Sequence, residues 1–279
     1  STIFTRGAPL KIQNLNSTVL QSDYNGKFQT GHLKHELLAG VELVGDSFTN
    51  YNAATPAGVN LGKPTTTVGT PDDGAWINEG ARTLSPGRTF KARSVGVYAQ
   101  DLVEVAPHWK LLGGLRYDYF KGRYWQAAGA STPAAERERS DGVWSKRLGL
   151  LYQPSETLSY HAAWGTSFNT SGDTYQYDPL GANTPPESSE NFEVGARFDS
   201  ADKRFTTRVA AFYAIKKSER NRDPDNAAVA YLLSGKRHAA GLEFDFAGRI
   251  TPRWEVFASY AFIPWAKIDR GAPSTAQSL

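Results

Sequence analysis

The sequence predicts an all-β protein: a transmembrane antiparallel β-barrel, of which this chain supplies about ten strands in a barrel of about 22. Three observations predict this class. Polar and apolar residues alternate along most of the chain, short and long connections alternate, and aromatic residues make up 12% of the sequence. In the segment His108–Tyr124, for example, Trp109 and Leu111 share one face, whereas Lys110 and Arg116 share the other.

Ten segments have this alternation, and each is near or above the about nine to eleven residues that a tilted membrane strand requires. In chain order they are Thr18–Thr30, Lys34–Phe48, Thr89–Val103, His108–Tyr124, Val143–Gln153, Thr157–Phe168, Glu190–Asp199, Arg204–Lys217, Leu232–Arg249 and Arg253–Lys267. One face of each segment carries charges of both signs and many glycines. Such a face is costly in a dry core but ordinary beside water, which favours a barrel with a wet lumen.

The connections between these segments are of two kinds, which alternate. Short ones are predicted around Gly31–His32, Ala106–Pro107, Pro154–Glu156, Ser200–Lys203 and Thr251–Pro252. Long ones are predicted at Thr49–Arg88, Gln126–Gly142, Asn169–Ser189, Asn221–Val229 and after Ile268. Outer-membrane barrels have short periplasmic turns and long extracellular loops, so the alternation predicts orientation as well as fold.

Composition excludes several classes of function. The absence of cysteine excludes disulfide frameworks, cysteine-ligated zinc and iron–sulfur clusters. The 31 basic and 28 acidic residues are nearly balanced, so the chain has no general nucleic-acid signal. No run approaches the roughly 18 consecutive apolar residues of a transmembrane helix. The absence of an initiator methionine and of a closing aromatic strand predicts a partial barrel.

Several motifs in these strands resemble the TonB-dependent receptors. They are Ser94–Leu102, Leu112–Asp118, the "PE-x-S-x-N-x-E-x-G" passage in Pro186–Arg197, Gly241–Phe244 and Gly248–Trp254. More narrowly, Ser167–Asp173 and Tyr260–Asp269 resemble the catecholate siderophore receptor branch. The resemblance covers most of the chain.

This resemblance implies uptake of a ferric siderophore across the outer membrane of a Gram-negative bacterium, energised through the TonB–ExbB–ExbD complex. Residues 1–279 would then be one partial barrel domain, with the plug domain and TonB box outside this chain. The ferric siderophore would be the transported ligand, with no covalently bound cofactor and no enzymatic activity. Outer-membrane lipid, lipopolysaccharide and the plug domain of the same protein would be partners.

Ligand-binding residues are expected in the long loops, because loops on a rigid scaffold usually carry binding. Ferric tris-catecholates are anionic and flat-faced, so their site needs cationic groups for charge and aromatic faces for stacking. The candidates are Trp76, Arg82, Arg88, Tyr124, Trp125, Arg137, Arg139, Tyr175, Tyr177, Lys216, Arg220 and Arg222. In the basic run Lys216–Arg222, contact with lipopolysaccharide is an alternative to siderophore capture, since an exposed basic run attracts anions in general.

Other functions stay open as alternatives. A passive porin and a barrel enzyme come from different classes, and haem, hydroxamate or cobalamin ligands remain within the receptor class. Haem is disfavoured because no histidine lies in a predicted long loop, where an axial ligand is expected. The five are His32, His35, His108, His161 and His238. The pair Asp72–Asp73 favours a turn over an acid–base pair or a calcium site.

Overall fold

The computed structural model describes residues 3–5, 10–69, 74–129, 132–170, 185–221 and 232–270, and these are almost entirely β-structure. The strands are β1 (Ile3–Phe4), β2 (Ile12–Thr30), β3 (Leu33–Ala54), β4 (Thr66–Thr67), β5 (Thr83–Ala106), β6 (Trp109–Gln126), β7 (Ala135–Ser155), β8 (Leu158–Asn169), β9 (Glu187–Asp199), β10 (Phe205–Asn221), β11 (Leu232–Thr251) and β12 (Trp254–Arg270). One 3₁₀ turn spans Glu79–Ala81. Within the described residues, no helix has the length and apolar character needed to cross a membrane.

Ten of these strands form one antiparallel sheet in the order β12-β11-β10-β9-β8-β7-β6-β5-β3-β2. Each is therefore hydrogen-bonded to the next long strand along the chain, as expected for a succession of hairpins. The short strands β1 and β4 pair separately, with Ile3 opposite Thr67. The all-β, antiparallel prediction is confirmed, and each of the ten predicted segments overlaps one long strand.

Among the described residues, three hairpin turns contain a residue with positive φ, a conformation that side chains disfavour: Gly31, His108 and Lys203. Between β2 and β3, Gly31 has φ 64°, which glycine adopts without strain. Between β5 and β6, His108 follows Pro107 in the turn and has φ 71°. Proline followed by a residue with positive φ is the pattern of a type II turn, in which glycine is the favoured second residue.

The chain divides into two compact units. The first comprises Ser1–Thr18, Gly45–Ala92 and Gly122–Glu138, and the second comprises Val19–Val44, Arg93–Lys121 and Arg139–Leu279. In the first unit, Phe48, Leu61, Phe90, Ala92 and Tyr124 are buried and form a small core.

In the second unit, the sheet has two chemically different faces. On the apolar face, aligned side chains run across neighbouring strands: Leu148 opposes Trp164, Trp164 opposes Phe192, and Phe192 opposes Tyr213. Leu148 and Phe192 are exposed, at 56% and 42%, whereas Trp164 between them is half-buried. The polar face carries the alternate residues of the same strands. There, His161 of β8 is hydrogen-bonded to Glu193 of β9 over 2.8 Å.

One polar pair interrupts the apolar face near the short turns. The Nδ1 atom of His35 lies 2.6 Å from a carboxylate oxygen of Asp101, and the imidazole stacks on Phe28 with ring centroids 4.6 Å apart. Asp101 also borders an apolar depression of about 660 Å³ whose lining includes Gly113 and Leu150. The mutual hydrogen bond offsets part of the cost of placing two polar side chains there.

Replacing His108 by glycine should stabilise the protein. A non-glycine residue in the left-handed region costs about 1–2 kcal/mol, and the greater freedom of glycine in the unfolded chain offsets about 0.5–1 kcal/mol of that gain. We expect the full-length His108→Gly variant to unfold at a higher urea concentration than wild type, with a free energy of unfolding that is higher by up to about 1 kcal/mol.

Gly31→Ala is the matched control for this prediction. A Cβ at Gly31 would meet no atom within 4 Å, so the effect of the substitution is purely conformational. It should destabilise the protein by about 1 kcal/mol. A His108→Gly variant that unfolds no later than wild type would show that the His108 conformation is not strained.

Candidate ligand-binding surface

Tyr124 and Arg137 form the clearest cation–aromatic pair among the candidate residues of the first unit. The Arg137 guanidinium carbon lies 5.9 Å from the centre of the Tyr124 ring. The ring itself is only 5% exposed, and its hydroxyl donates a hydrogen bond of 3.0 Å to Gln126 Oε1. The half-buried guanidinium of Arg137 is therefore positioned by a fixed aromatic surface.

The opposite face of the same two strands carries a different set of groups. In β6, Arg123 and Trp125 are exposed and alternate with the buried Gly122 and Tyr124. The Arg123 guanidinium donates two hydrogen bonds to Glu138 Oε2 of β7, over 2.8 and 3.1 Å. Trp125, 38% exposed, lies on the Arg123 side and not on the Tyr124 side.

Arg82 is held by groups of the first unit. Its Nε donates to Glu79 Oε2 over 2.5 Å, and its Nη1 donates to Thr55 Oγ1 over 3.2 Å. The hydrogen bond from Arg82 lowers the pKa of Glu79, so the carboxylate stays ionised at neutral and mildly acidic pH. An anionic ligand would have to compete with this carboxylate for Arg82.

Two further candidates in the second unit are paired with carboxylates. Arg139 is 8% exposed at its side chain and forms bonds of 2.6 and 2.8 Å to both oxygens of Asp141. Lys216 lies 3.3 Å from Glu187. Each of these cations is neutralised by a neighbouring carboxylate. An anionic ligand would have to compete with that carboxylate for the cation.

The remaining candidates are dispersed or lie outside the described residues. In the first unit, Trp76 is 80% exposed and Arg88 is exposed in β5. Arg220 belongs to β10, but the structure describes only its backbone. The candidates Tyr175, Tyr177 and Arg222, and the pair Asp72–Asp73, lie outside the described residues.

The predicted long loops were too long. Arg88, Arg137 and Arg139 were predicted in loops but lie within strands, because β5 starts at Thr83 and β7 starts at Ala135. Tyr124 and Trp125, predicted beside the second loop, lie at the end of β6. Likewise, β10 runs to Asn221, past the predicted strand end at Lys217, and so includes Arg220, whereas Lys216 lies in the strand as predicted. Cross-strand charged pairs occur in these extended ends, as between Arg123 of β6 and Glu138 of β7.

A polar network on the polar face of the second unit was not among the candidates. Arg116 binds both oxygens of Asp118 over 2.7 and 2.8 Å, and Glu42 over 3.1 Å. Its guanidinium also lies 5.2 Å from the Tyr98 ring centre, and the Tyr98 hydroxyl donates to Asp23. The alternation in the sequence predicts that Arg116 lies on this face. The sequence does not predict the other members of the network, in β2, β3 and β5, because their positions depend on the register between strands.

Two further histidines are each paired with a carboxylate. His161 pairs with Glu193, and His238 pairs with Asp269 over 2.8 Å. Among the described residues, no three His, Cys, Asp or Glu side chains come together in a way that could hold a metal ion.

Comparison with known proteins decides the family. The model of the family described as "TonB dependent receptor-like, beta-barrel" matches residues 2–278. This chain belongs to that family. The ten-stranded sheet is accordingly part of a TonB-dependent receptor β-barrel, and its family is one of transport receptors. The family match gives no support to the passive-porin alternative.

The relatives of this chain include TonB-dependent receptors, one of which is named for its ligand. The chain is 27% identical over 278 residues to the probable TonB-dependent receptor BfrD of Bordetella pertussis, a match of 92% of this chain and 37% of that protein. It is 24% identical to the catecholate siderophore receptor Fiu of Escherichia coli K12, covering 86% of this chain and 34% of Fiu. The chain thus spans about a third of the length of these relatives.

Solved structures agree on the fold. The crystal structure of the siderophore receptor PiuA from Acinetobacter baumannii superposes with a TM-score of 0.75 at 24% sequence identity, covering 95% of this chain and 40% of PiuA. The ferripyoverdine receptor of Pseudomonas aeruginosa gives a TM-score of 0.74 at 20% identity, covering 96% of this chain and 35% of the receptor.

Adding a methyl group at Gly96 should disturb the Arg116 network. A Cβ there would lie 2.3 Å from Arg116 Nη2 and 2.8 Å from Asp118 Oδ1, and both atoms are held in the network. Because these atoms are the ends of flexible side chains, the cost is that of moving the Arg116 guanidinium out of its hydrogen bonds, about 1 kcal/mol. We expect Gly96→Ala to lower the urea midpoint of the full-length protein accordingly.

Gly113→Ala is the matched control, because a Cβ at Gly113 meets nothing within 4 Å. It should leave the midpoint unchanged or raise it slightly, since alanine restricts the unfolded chain. Equal midpoints for the two variants would mean that Arg116 and Asp118 move aside without cost.

Proposed function

We propose that the full-length protein is an outer-membrane receptor that imports a ferric siderophore of the catecholate type, energised through TonB–ExbB–ExbD. Residues 1–279 would form part of its barrel wall, and a plug domain outside this chain would close the lumen. The apolar face would contact outer-membrane lipid and lipopolysaccharide, and the polar face would border the lumen. The reaction is transport, and no covalent cofactor is required.

The family match over residues 2–278 supports the transport class of this proposal. The names of Fiu and of PiuA, a "probable TonB-dependent siderophore receptor", support a siderophore as the transported ligand. The catecholate type rests on Fiu and on the sequence motifs Ser167–Asp173 and Tyr260–Asp269. Because relatives also include the metal-pseudopaline receptor CntO, ligand type within the family is the point to test.

The pair of Tyr124 and Arg137 is the observation that carries the ligand site. A ferric catecholate complex offers negative charge and flat aromatic rings, and this pair offers a guanidinium beside an aromatic ring. In β6, Tyr124 has the same parity as Arg116 of the polar face, so the alternation directs both towards the proposed lumen. Arg137 is thus the cation that we expect to meet the ligand.

Arg137→Gln should weaken binding of a ferric catecholate by roughly tenfold or more, because a charge-assisted contact contributes about 1.5–3 kcal/mol. Binding would be measured by quenching of intrinsic fluorescence in the purified full-length receptor. The matched control is Arg123→Gln, which removes the same charge from the opposite face and should leave the affinity within about twofold, since exposed ion pairs contribute little. If both variants bind like wild type, Arg137 is not a ligand contact.

Uptake of radioactive iron by iron-starved cells carrying the full-length protein tests the function directly. Ferric catecholate, ferric hydroxamate and haem would be compared with the proton-motive force intact and collapsed. We expect uptake of the catecholate alone, abolished when the force is collapsed. Uptake that survives the collapse would favour a passive channel, and energy-dependent uptake of another complex would keep the class but refute the catecholate assignment.

A further inference from the structure

Arg147 of β7 differs from Arg116, Arg139 and Arg197, which lie on the same polar face of the second unit. Each of those three guanidinium groups donates hydrogen bonds to a neighbouring aspartate. Arg147 is exposed, and its one hydrogen bond among the described residues is a long contact of 3.5 Å from Nη1 to Gln100 Oε1. In the described part of the chain, no carboxylate forms an ion pair with Arg147. Its charge is therefore open to an anion from outside the sheet.

The strands on either side of Arg147 present glycines to it. Gly165 of β8 is directly opposite Arg147 in the register. On β6, a Cβ at Gly114 would lie 3.6 Å from Arg147 Cβ, so Gly114 is its neighbour on the other side. Neither position has a side chain that could cover or neutralise the guanidinium. Glycine weakens a strand interior and often marks a place where a ligand approaches the sheet closely.

A depression in the polar face adjoins Arg147. It has a volume of about 270 Å³, and its lining includes Arg147, Gln100, Ser145, Tyr98 and Arg116. The Tyr98 ring centre lies 5.2 Å from the Arg116 guanidinium carbon, which helps to hold the ring in place. The depression thus combines an unpaired guanidinium with an amide, a hydroxyl and an aromatic ring.

These groups suit one part of an anionic catecholate complex. The guanidinium provides charge, and the amide, hydroxyl and ring provide hydrogen bonds and an aromatic surface. Pockets that enclose a whole small-molecule ligand have volumes of about 300–1,000 Å³. The smaller and open depression beside Arg147 would therefore contact one catecholate arm and leave the rest of the complex in the lumen.

We propose that Arg147 and this depression form a transit site, which receives the ferric catecholate after it leaves the proposed ligand site at Arg137. This inference rests on the transport function proposed above. Arg147 follows Arg137 by ten residues along β7, in the direction of the short turn after Ser155, and the two arginines have the same parity. A ligand carried from the long loops towards the short turns would reach Arg147 second.

A transit site must bind its ligand strongly enough to receive it but weakly enough to release it. A single guanidinium beside an open depression meets this requirement, because it offers one charge and encloses only part of the ligand. Loss of Arg147 should accordingly slow the passage of the ligand without weakening its initial capture.

The test separates capture from uptake in iron-starved cells that carry the full-length receptor. Radioactive ferric catecholate is bound at the surface with the proton-motive force collapsed, and taken up with the force intact. For Arg147→Gln, we expect surface affinity within about twofold of wild type but an uptake rate at saturating ligand that is at least about fivefold lower, because a charge-assisted contact is lost. Arg147→Lys, which keeps the charge, should retain about half of the wild-type rate or more.

Arg197→Gln is the matched control for charge. It removes a guanidinium from the same face, but one that Asp199 neutralises over 3.0 Å, so uptake should stay within about twofold of wild type. Gly165→Val tests the site with all charges retained. A Cβ at Gly165 meets only the backbone oxygen of Lys146, at 3.7 Å, and valine suits a strand, so this variant should fold. Its side chain would cover one flank of Arg147, and we expect slower uptake with unchanged surface affinity.

Three results would overturn the transit site: normal uptake by Arg147→Gln, equal loss of uptake in Arg197→Gln, or surface binding weakened as much as uptake, which would assign Arg147 to initial capture. Passage of a large hydrophilic dye through Arg147→Gln but not through wild type would show that Arg147 holds the plug domain instead. Absence of energy-dependent uptake from wild type refutes the transport function, and the transit site with it. Normal wild-type uptake with normal uptake in both Arg147→Gln and Gly165→Val refutes the transit site alone.

Discussion

Everything in this structure depends on one constraint: backbone hydrogen bonds are paired between neighbouring strands, while side chains alternate between two faces. In lipid, unpaired backbone groups cost several kcal/mol each, so a wall of this kind must consist of long, continuously paired strands. The sheet meets this demand from β2 to β12, with β10 paired to β9 on one side and to β11 on the other. The two faces can then carry different side chains, one polar and one apolar, because this difference does not disturb the hydrogen bonds between the backbones.

On the polar face of the second unit, several arginine side chains are paired with carboxylates. Arg116 with Asp118 and Glu42, and Arg139 with Asp141, keep each guanidinium within hydrogen-bond distance of a carboxylate. Gly96 leaves the space that the Arg116 guanidinium occupies, so small and charged residues on this face depend on each other. A ligand that binds to these arginines must compete with their carboxylates. In the first unit, by contrast, the cation Arg137 is positioned by the Tyr124 ring.

The sequence was sufficient to predict the strands, their order and their two faces, because a period of two is a local property. It was insufficient at the long-loop ends, where β5 starts at Thr83 and β7 starts at Ala135, because polar residues there hid the continuation of the strands. The meeting of Tyr124 and Arg137 depends on the register between β6 and β7, which alternation alone does not specify. The same holds for the Arg116 network, whose members come from strands far apart in sequence.

Alternation also separates two interpretations of the basic run that starts at Lys216. Siderophore capture and lipopolysaccharide contact are alternatives only while the run is treated as a single loop. Within β10, Lys216 lies on the polar face beside Glu187, whereas Lys217 lies on the apolar face beside Glu190 and opposite Lys236. Two adjacent lysines therefore face different surroundings, one the proposed lumen and the other the proposed lipid. A single strand can serve both a transported anion and a membrane anion because each of its faces is chemically independent.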